Sequence, residues 1–218
     1  MNLFKKEKRG DEIKVIHPPT LGWLETKLSD KEMDYLWKCI DNKKECFKHG
    51  LAGQISASNS LVDKSDWFFN NRLKHLCKIY QEEFANIGDT APINQRHPYY
   101  LKNFWVYHQK QTEFNPPHDH NGVYSFVIWM KIPTKHFDQN KNLISLKSNT
   151  HLISAFQFQY INILGQIRQY VYEMNPEMEG TMLFFPAKLE HQVFPFYNCD
   201  EDRISISGNI TLNTTKIL

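Results

Sequence analysis

Arg203-Ile204-Ser205-Ile206-Ser207-Gly208-Asn209-Ile210-Thr211-Leu212 alternates between polar and apolar side chains. Successive residues of a β-strand point to opposite faces. Arg203, Ser205, Ser207 and Asn209 therefore share one face, and Ile204, Ile206 and Ile210 the other. The isoleucine face belongs against a core. The polar face must line water or a polar cavity, because buried polar groups need partners. A half-exposed edge strand with Arg203 in solvent carries the same pattern, so the strand alone predicts a sheet and leaves the surroundings of Arg203 open.

Segments of similar character fill the chain upstream as far as Pro92. Residues 99–108, 124–132, 155–163, 166–173 and 181–185 are aromatic or β-branched runs. They are punctuated by Asn115-Pro116-Pro117, Asn121-Gly122, Leu164-Gly165, Asn175-Pro176 and Gly180. Residues 155–173 form a hairpin pattern around Gly165, and the polar stretch 134–150 reads as a long connection. Before Pro92 the period changes. Ser29-Asp30-Lys31-Glu32 has the form of a capping box. Met33, Leu36, Trp37 and Ile40 then lie on one helical face. A second helix starts near Asp63 or Ser65, carries Phe69, Leu73, Leu76, Cys77, Tyr80 and Phe84 as its stripe, and stops at Gly88. Residues 50–60 between the helices are small and polar and read as a loop.

Helices first and short antiparallel strands afterwards predict an α+β fold. The expected form is a double-stranded β-helix, a cupin-like jelly roll, braced by the N-terminal helices. Residues 1–218 are expected to form a single domain. Within it, residues 1–92 are a mainly helical part packed on the sheet, and residues 93–218 are the double-stranded β-helix core. At 218 residues the chain is long enough for one sizeable core and short for two.

The composition narrows the function classes. A formal net charge of +2 argues against nucleic acid as a partner. The basic run Lys5, Lys6, Lys8, Arg9 reads as a solvated N-terminus. No stretch approaches the roughly 18 apolar residues that span a bilayer, and no secretory signal pattern is visible. The cysteines Cys39, Cys46, Cys77 and Cys199 lack metal-binding spacing. The expected compartment is therefore reducing, the cytoplasm or, for a phage-encoded chain, the host cytoplasm. A homodimer is compatible with these features.

The chemistry centres on histidine. In an extended His118-Asp119-His120, both imidazoles point to one side and Asp119 to the other, and two imidazoles on one side make a metal-binding pair. Alternatively, an irregular backbone between Pro117 and Gly122 turns Asp119 inward in place of His120. His191 follows an apolar strand and a turn, and Arg203 opens its polar strand face twelve residues later. An Arg at the mouth of a barrel suits a carboxylate, because its planar fork binds one bidentately and stays charged.

This order resembles that of the 2-oxoglutarate/iron(II) oxygenase superfamily, in particular its phage and bacterial 2OG-Fe(II) oxygenase group. The matching segments are Trp105-Val106-Tyr107, Phe114 through His120, Leu183 through Val193, and Arg203 through Ile210. The resemblance implies a double-stranded β-helix with iron(II) at its open end, held by His118, His120 and His191. His120 stands where the superfamily usually has a carboxylate, with Asp119 as the alternative ligand. Arg203 corresponds to the residue that pairs with the far carboxylate of 2-oxoglutarate, assisted by Ser205, with Tyr107 and Tyr124 as candidates for the cosubstrate wall. The implied reaction consumes 2-oxoglutarate and O2, hydroxylates a substrate that the sequence does not identify, and releases succinate and CO2. Two alternatives follow from the departure at His120. One is a three-His cupin-type dioxygenase that uses no 2-oxoglutarate. The other is a non-catalytic metal-binding jelly roll.

Overall fold

The computed structural model describes residues 20–46, 53–54, 56–84 and 96–217. In chain order these form β1 (Leu24–Lys27), α1 (Asp30–Asp41), β2 (Ala57–Ser60), α2 (Lys74–Phe84), β3 (Tyr99–Gln109), β4 (Asn115–His118) and β5 (Tyr124–Lys131). The short α3 (His136–Gln139), β6 (Phe156–Ile161), β7 (Ile167–Tyr172), β8 (Thr181–Pro186), β9 (His191–Val193) and β10 (Arg203–Leu212) follow. The expected basic N-terminal run and the expected helix stop at Gly88 lie outside the described residues.

The strands form two sheets, of order β1-β8-β5-β10-β3-β2 and β4-β9-β6-β7, and the pairs are antiparallel. β10 is central in the larger sheet, paired with β3 on one side and β5 on the other. Strand parity separates two cores. Ile206, Ile210, Phe104, Val106, Phe126, Ile128 and Phe184 face the helices, where Leu36, Ile40, Phe68, Leu73, Leu76 and Tyr80 cover them. Val127, Trp129, Leu183 and Phe185 point the other way, onto Phe156, Phe158 and Tyr172 of the smaller sheet. β5 and β8 are thus largely apolar on both faces, since each face of the larger sheet has its own cover. Burial of each such side chain contributes about 1.5–3 kcal/mol.

Local signals explain the bracing helices. The Glu32 carboxylate accepts hydrogen bonds from Ser29 N–H (2.8 Å) and Ser29 Oγ–H (2.7 Å) at the start of α1. The Asp63 carboxylate accepts from the N–H groups of Phe68 and Phe69, both at 2.8 Å, and opens a wide turn over Phe69–Leu73 that leads into α2. The hairpin around Gly165 is also as expected. Gly165 takes φ +73°, and Asn162 Oδ1 accepts from the N–H groups of Leu164 and Gln166.

Among the described residues before Pro92, two strands stand beside the helices. β1 and β2 form the two edges of the larger sheet, and β2 replaces part of the expected 50–60 loop. Each is four residues long, and Ala57-Ser58-Asn59-Ser60 holds no β-branched or aromatic residue. Pairing with β8 and β3 supplies what their own propensity does not. β4 and β9 were likewise too short to show a period. The two prolines of β4 fit its place at a sheet edge, where a missing N–H breaks no ladder.

Candidate metal centre

β4 and β9 bring the histidines together. His118 ends β4, His191 opens β9, and the register places them opposite one another. His120 follows two residues later, anchored by its backbone N–H to the Ala187 carbonyl at 2.8 Å. Ring centroids are 4.3 Å apart for His118 and His191, 5.0 Å for His118 and His120, and 4.9 Å for His120 and His191. One nitrogen from each ring lies within 4.8 Å of the others, a group that could hold a metal ion.

The ring orientations are set by main-chain carbonyls. His118 Nδ1 lies 2.7 Å from Pro116 O, and His191 Nδ1 lies 2.9 Å from Leu189 O. A carbonyl oxygen only accepts, so each Nδ1 carries the proton and each Nε2 keeps its lone pair for an ion. Burial lowers the pKa of all three imidazoles, that of His120 to about 4 and that of His191 well below the usual histidine range. The neighbouring rings lower His120 and His191 further. The rings are therefore neutral at pH 7, the form that binds metal. Asp119 points away, as alternation requires, and its carboxylate pairs with Lys188 Nζ at 3.2 Å.

A cavity runs from the histidines to Arg203, lined also by Trp105, Tyr107, Asn115, Ser205 and Ser207. Arg203 is 2% exposed, yet no carboxylate pairs with it among the described residues. Its partners are neutral. Nη2 donates to the Ser154 carbonyl (3.1 Å) and to Ser154 Oγ, Nη1 donates to Gln109 Oε1 (3.4 Å), and the guanidinium lies 4.9 Å from the Phe196 ring centroid. Among the described residues, Arg203 Nε and Tyr107 Oη are buried without a hydrogen-bond partner. Burial lowers the pKa of Arg203 to about 10, so it stays charged at neutral pH.

Residues 103–209 match the family model described as "Putative 2OG-Fe(II) oxygenase". The match spans 107 of the 218 residues, just under half of the chain. The protein is an oxidoreductase of the 2OG-Fe(II) oxygenase type that uses iron(II) and 2-oxoglutarate. No curated protein sequence matches this oxygenase. Solved structures similar to it include an oxidoreductase of the 2OG-Fe(II) oxygenase family from Burkholderia pseudomallei, 12% identical, covering 84% of this chain and 78% of that one at a TM-score of 0.50. A Pseudomonas putida prolyl-4-hydroxylase is 11% identical over 89% and 94% of the two chains, with a TM-score of 0.51. SnoN, a non-haem alpha-ketoglutarate-dependent epimerase of nogalamycin biosynthesis, is 11% identical over 87% and 78%, with a TM-score of 0.53. At these identities the likeness shows the double-stranded β-helix fold.

The residues of the oxygenase fit both groups its family uses. Three neutral imidazoles, those of His118 and His191 with Nδ1 already engaged by carbonyls, suit iron(II). A buried cation with an unused N–H beside an unused hydroxyl suits a carboxylate, since an uncompensated buried charge is costly. Tyr124, a candidate for the cosubstrate wall, is not brought to this cavity. It shares the parity of Phe126 and Ile128 and packs on the helix side against Tyr80, Tyr99 and Phe184. Gln109 lines the cavity and Ser154 holds Arg203, neither of them foreseen. Gln109 has the parity of Tyr107 on β3, which was the available signal; Ser154 lies in a loop with no periodicity to read.

Proposed function

We propose that His118, His120 and His191 hold iron(II), and that Arg203, with Ser205 and Tyr107, binds the far carboxylate of 2-oxoglutarate. The observation that carries this is the buried Arg203, a cation without an anionic partner among the described residues, in a cavity that three convergent imidazoles also line. Asp119 is left out of the ligand set because its carboxylate engages Lys188 at the exposed surface. A three-His dioxygenase without 2-oxoglutarate would leave both the Arg203 charge and the unpartnered Tyr107 hydroxyl without a role.

Bound together, iron(II) and 2-oxoglutarate supply the oxidation of a substrate C–H bond to C–OH, with O2 consumed and succinate and CO2 released. The protein orients the reactants and keeps the cavity dry. Trp129, Phe156 and Phe185 line its walls, and Arg203 with Tyr107 sets the direction of the cosubstrate. Substrate selection is assigned to the β6–β7 hairpin and the 134–150 loop, as exposed loops on a rigid scaffold commonly carry it. Phe158 of β6 pairs with His191, and the hairpin continues past that point with Ile161, Ile163, Leu164 and Ile167 exposed. The reading takes residues 1–218 as one domain, because α1 and α2 bury their apolar faces on the larger sheet.

The test is uncoupled turnover. The iron(II)-loaded protein in air should convert 2-oxoglutarate to succinate without added substrate, and His191→Ala and Arg203→Met should each remove that activity. Succinate formation no faster than in a protein-free control, from a folded and iron-loaded protein, would overturn the reading.

A further inference from the structure

Ser154 stands two residues before β6, fully buried, with φ +61°. The left-handed region is unfavourable for a residue with a Cβ, and such a residue persists where its surroundings over-determine it. The surroundings here are specific. Ser154 N–H donates to the Pro195 carbonyl at 2.8 Å. Its carbonyl and its hydroxyl converge on one nitrogen, Nη2 of Arg203. Gln109 restrains the same guanidinium at Nη1. Its own amide orientation is set by donation from Nε2 to the carbonyls of Glu113 (2.6 Å) and Phe194 (3.4 Å), which leaves Oε1 towards Arg203. Of the three guanidinium nitrogens, Nε alone has no partner among the described residues.

We propose that Ser154 is a positioning residue for cosubstrate binding. Its carbonyl and hydroxyl hold Arg203 so that Nε–H, beside the Tyr107 hydroxyl, is presented to the far carboxylate of 2-oxoglutarate. The inference rests on Arg203 as the carboxylate anchor proposed above. The backbone strain at Ser154 then has a purpose, since the left-handed turn is what lets two acceptors of a single residue meet one end of the fork. Orientation matters because a charge-assisted hydrogen bond is both strong and directional. A guanidinium free to turn within the cavity would lose rotamer freedom at the moment of binding.

The experiment compares wild type with Ser154→Gly, Ser154→Ala and Arg203→Met. Each Mn(II)-loaded protein is titrated calorimetrically with 2-oxoglutarate, and Mn(II) affinity is measured separately without it. Glycine adopts φ +61° freely, so Ser154→Gly removes the hydroxyl while preserving the fold, and a melting curve checks this. The expected result is a 2-oxoglutarate Kd about tenfold higher in both Ser154 variants, the low end for a hydrogen bond to a charged group, with Mn(II) affinity unchanged. A merely structural Ser154 would move the melting temperature and leave the Kd alone. If Arg203→Met weakens 2-oxoglutarate binding while Ser154→Gly binds it as wild type does, the positioning role is overturned. If Arg203→Met binds 2-oxoglutarate as tightly as wild type, the anchor reading fails and takes the Ser154 assignment with it.

Discussion

His118 and His191 stand opposite one another in the register of β4 and β9, with ring centroids 4.3 Å apart and each Nδ1 directed at the carbonyl two residues before it. The same short pairing that closes the smaller sheet therefore sets two imidazoles with their Nε2 atoms free. Replacing either by alanine should weaken Mn(II) binding by at least about 100-fold, the upper end of the loss seen even for residues that only support a metal ligand. Asp119→Ala should leave Mn(II) binding within about twofold, since the lost partner is a surface lysine. The bound fraction can be counted from the electron paramagnetic resonance signal of free Mn(II). A large loss in Asp119→Ala with little change in His120→Ala would move the third ligand to Asp119.

The proposed ligand set is neutral, and that has a measurable cost. Oxygen donors suit Mn(II), whereas imidazole suits iron and zinc. His120→Asp should bind Mn(II) about tenfold more tightly than wild type when 2-oxoglutarate is absent, because it adds both a negative charge and an oxygen ligand. Equal affinities in the two proteins would mean that His120 is not at the metal.

Proton uptake gives an independent view of the same histidines. The unfolded chain protonates them near pH 6.5, while folding holds His120 down to about 4 and lowers His118 and His191 as well. Between those values the unfolded state binds more protons, so the metal-free protein should lose stability as pH falls from about 6.5 towards 4. Urea unfolding at pH 7, 5.5 and 4.5 reads this out, and His120→Gln should show a shallower slope. The same slope in wild type and variant would show that His120 does not contribute.

Gly208 lies at the centre of β10, where a Cβ would meet Phe126 Cζ at 2.6 Å and the Asn103 carbonyl oxygen at 2.7 Å. The ring can turn, but the backbone carbonyl cannot move without disturbing β3. Gly208→Ala should destabilise the protein by about 2 kcal/mol, as overpacking of a tight core does. Denaturant unfolding measures it, and an unchanged midpoint would show that the sheet relaxes.

Most of the sheet and the histidine group were legible as periodicity. β10 has the bounds its alternation predicts, 203–212, and the parity of His118 and His120 carried through to two rings in one cavity. Tyr124 was harder. The segment 124–132 is apolar on both faces because both faces of the larger sheet are covered, so no alternation marked which parity faces the cavity. β1, β2, β4 and β9 are three or four residues each, and their conformation is imposed by the strands they pair with. Ser154 reaches Arg203 across 49 residues of chain from an irregular segment, a contact that tertiary structure alone creates.

The most direct test of an iron and 2-oxoglutarate centre is anaerobic titration of the metal-free protein with iron(II) and then 2-oxoglutarate, monitored in the visible. Chelation of iron by the 2-oxo acid should produce a charge-transfer band that saturates at one equivalent, is absent in His191→Ala, and requires far more 2-oxoglutarate in Arg203→Met. A folded wild-type protein that develops no such band under these conditions would contradict the assignment of this site.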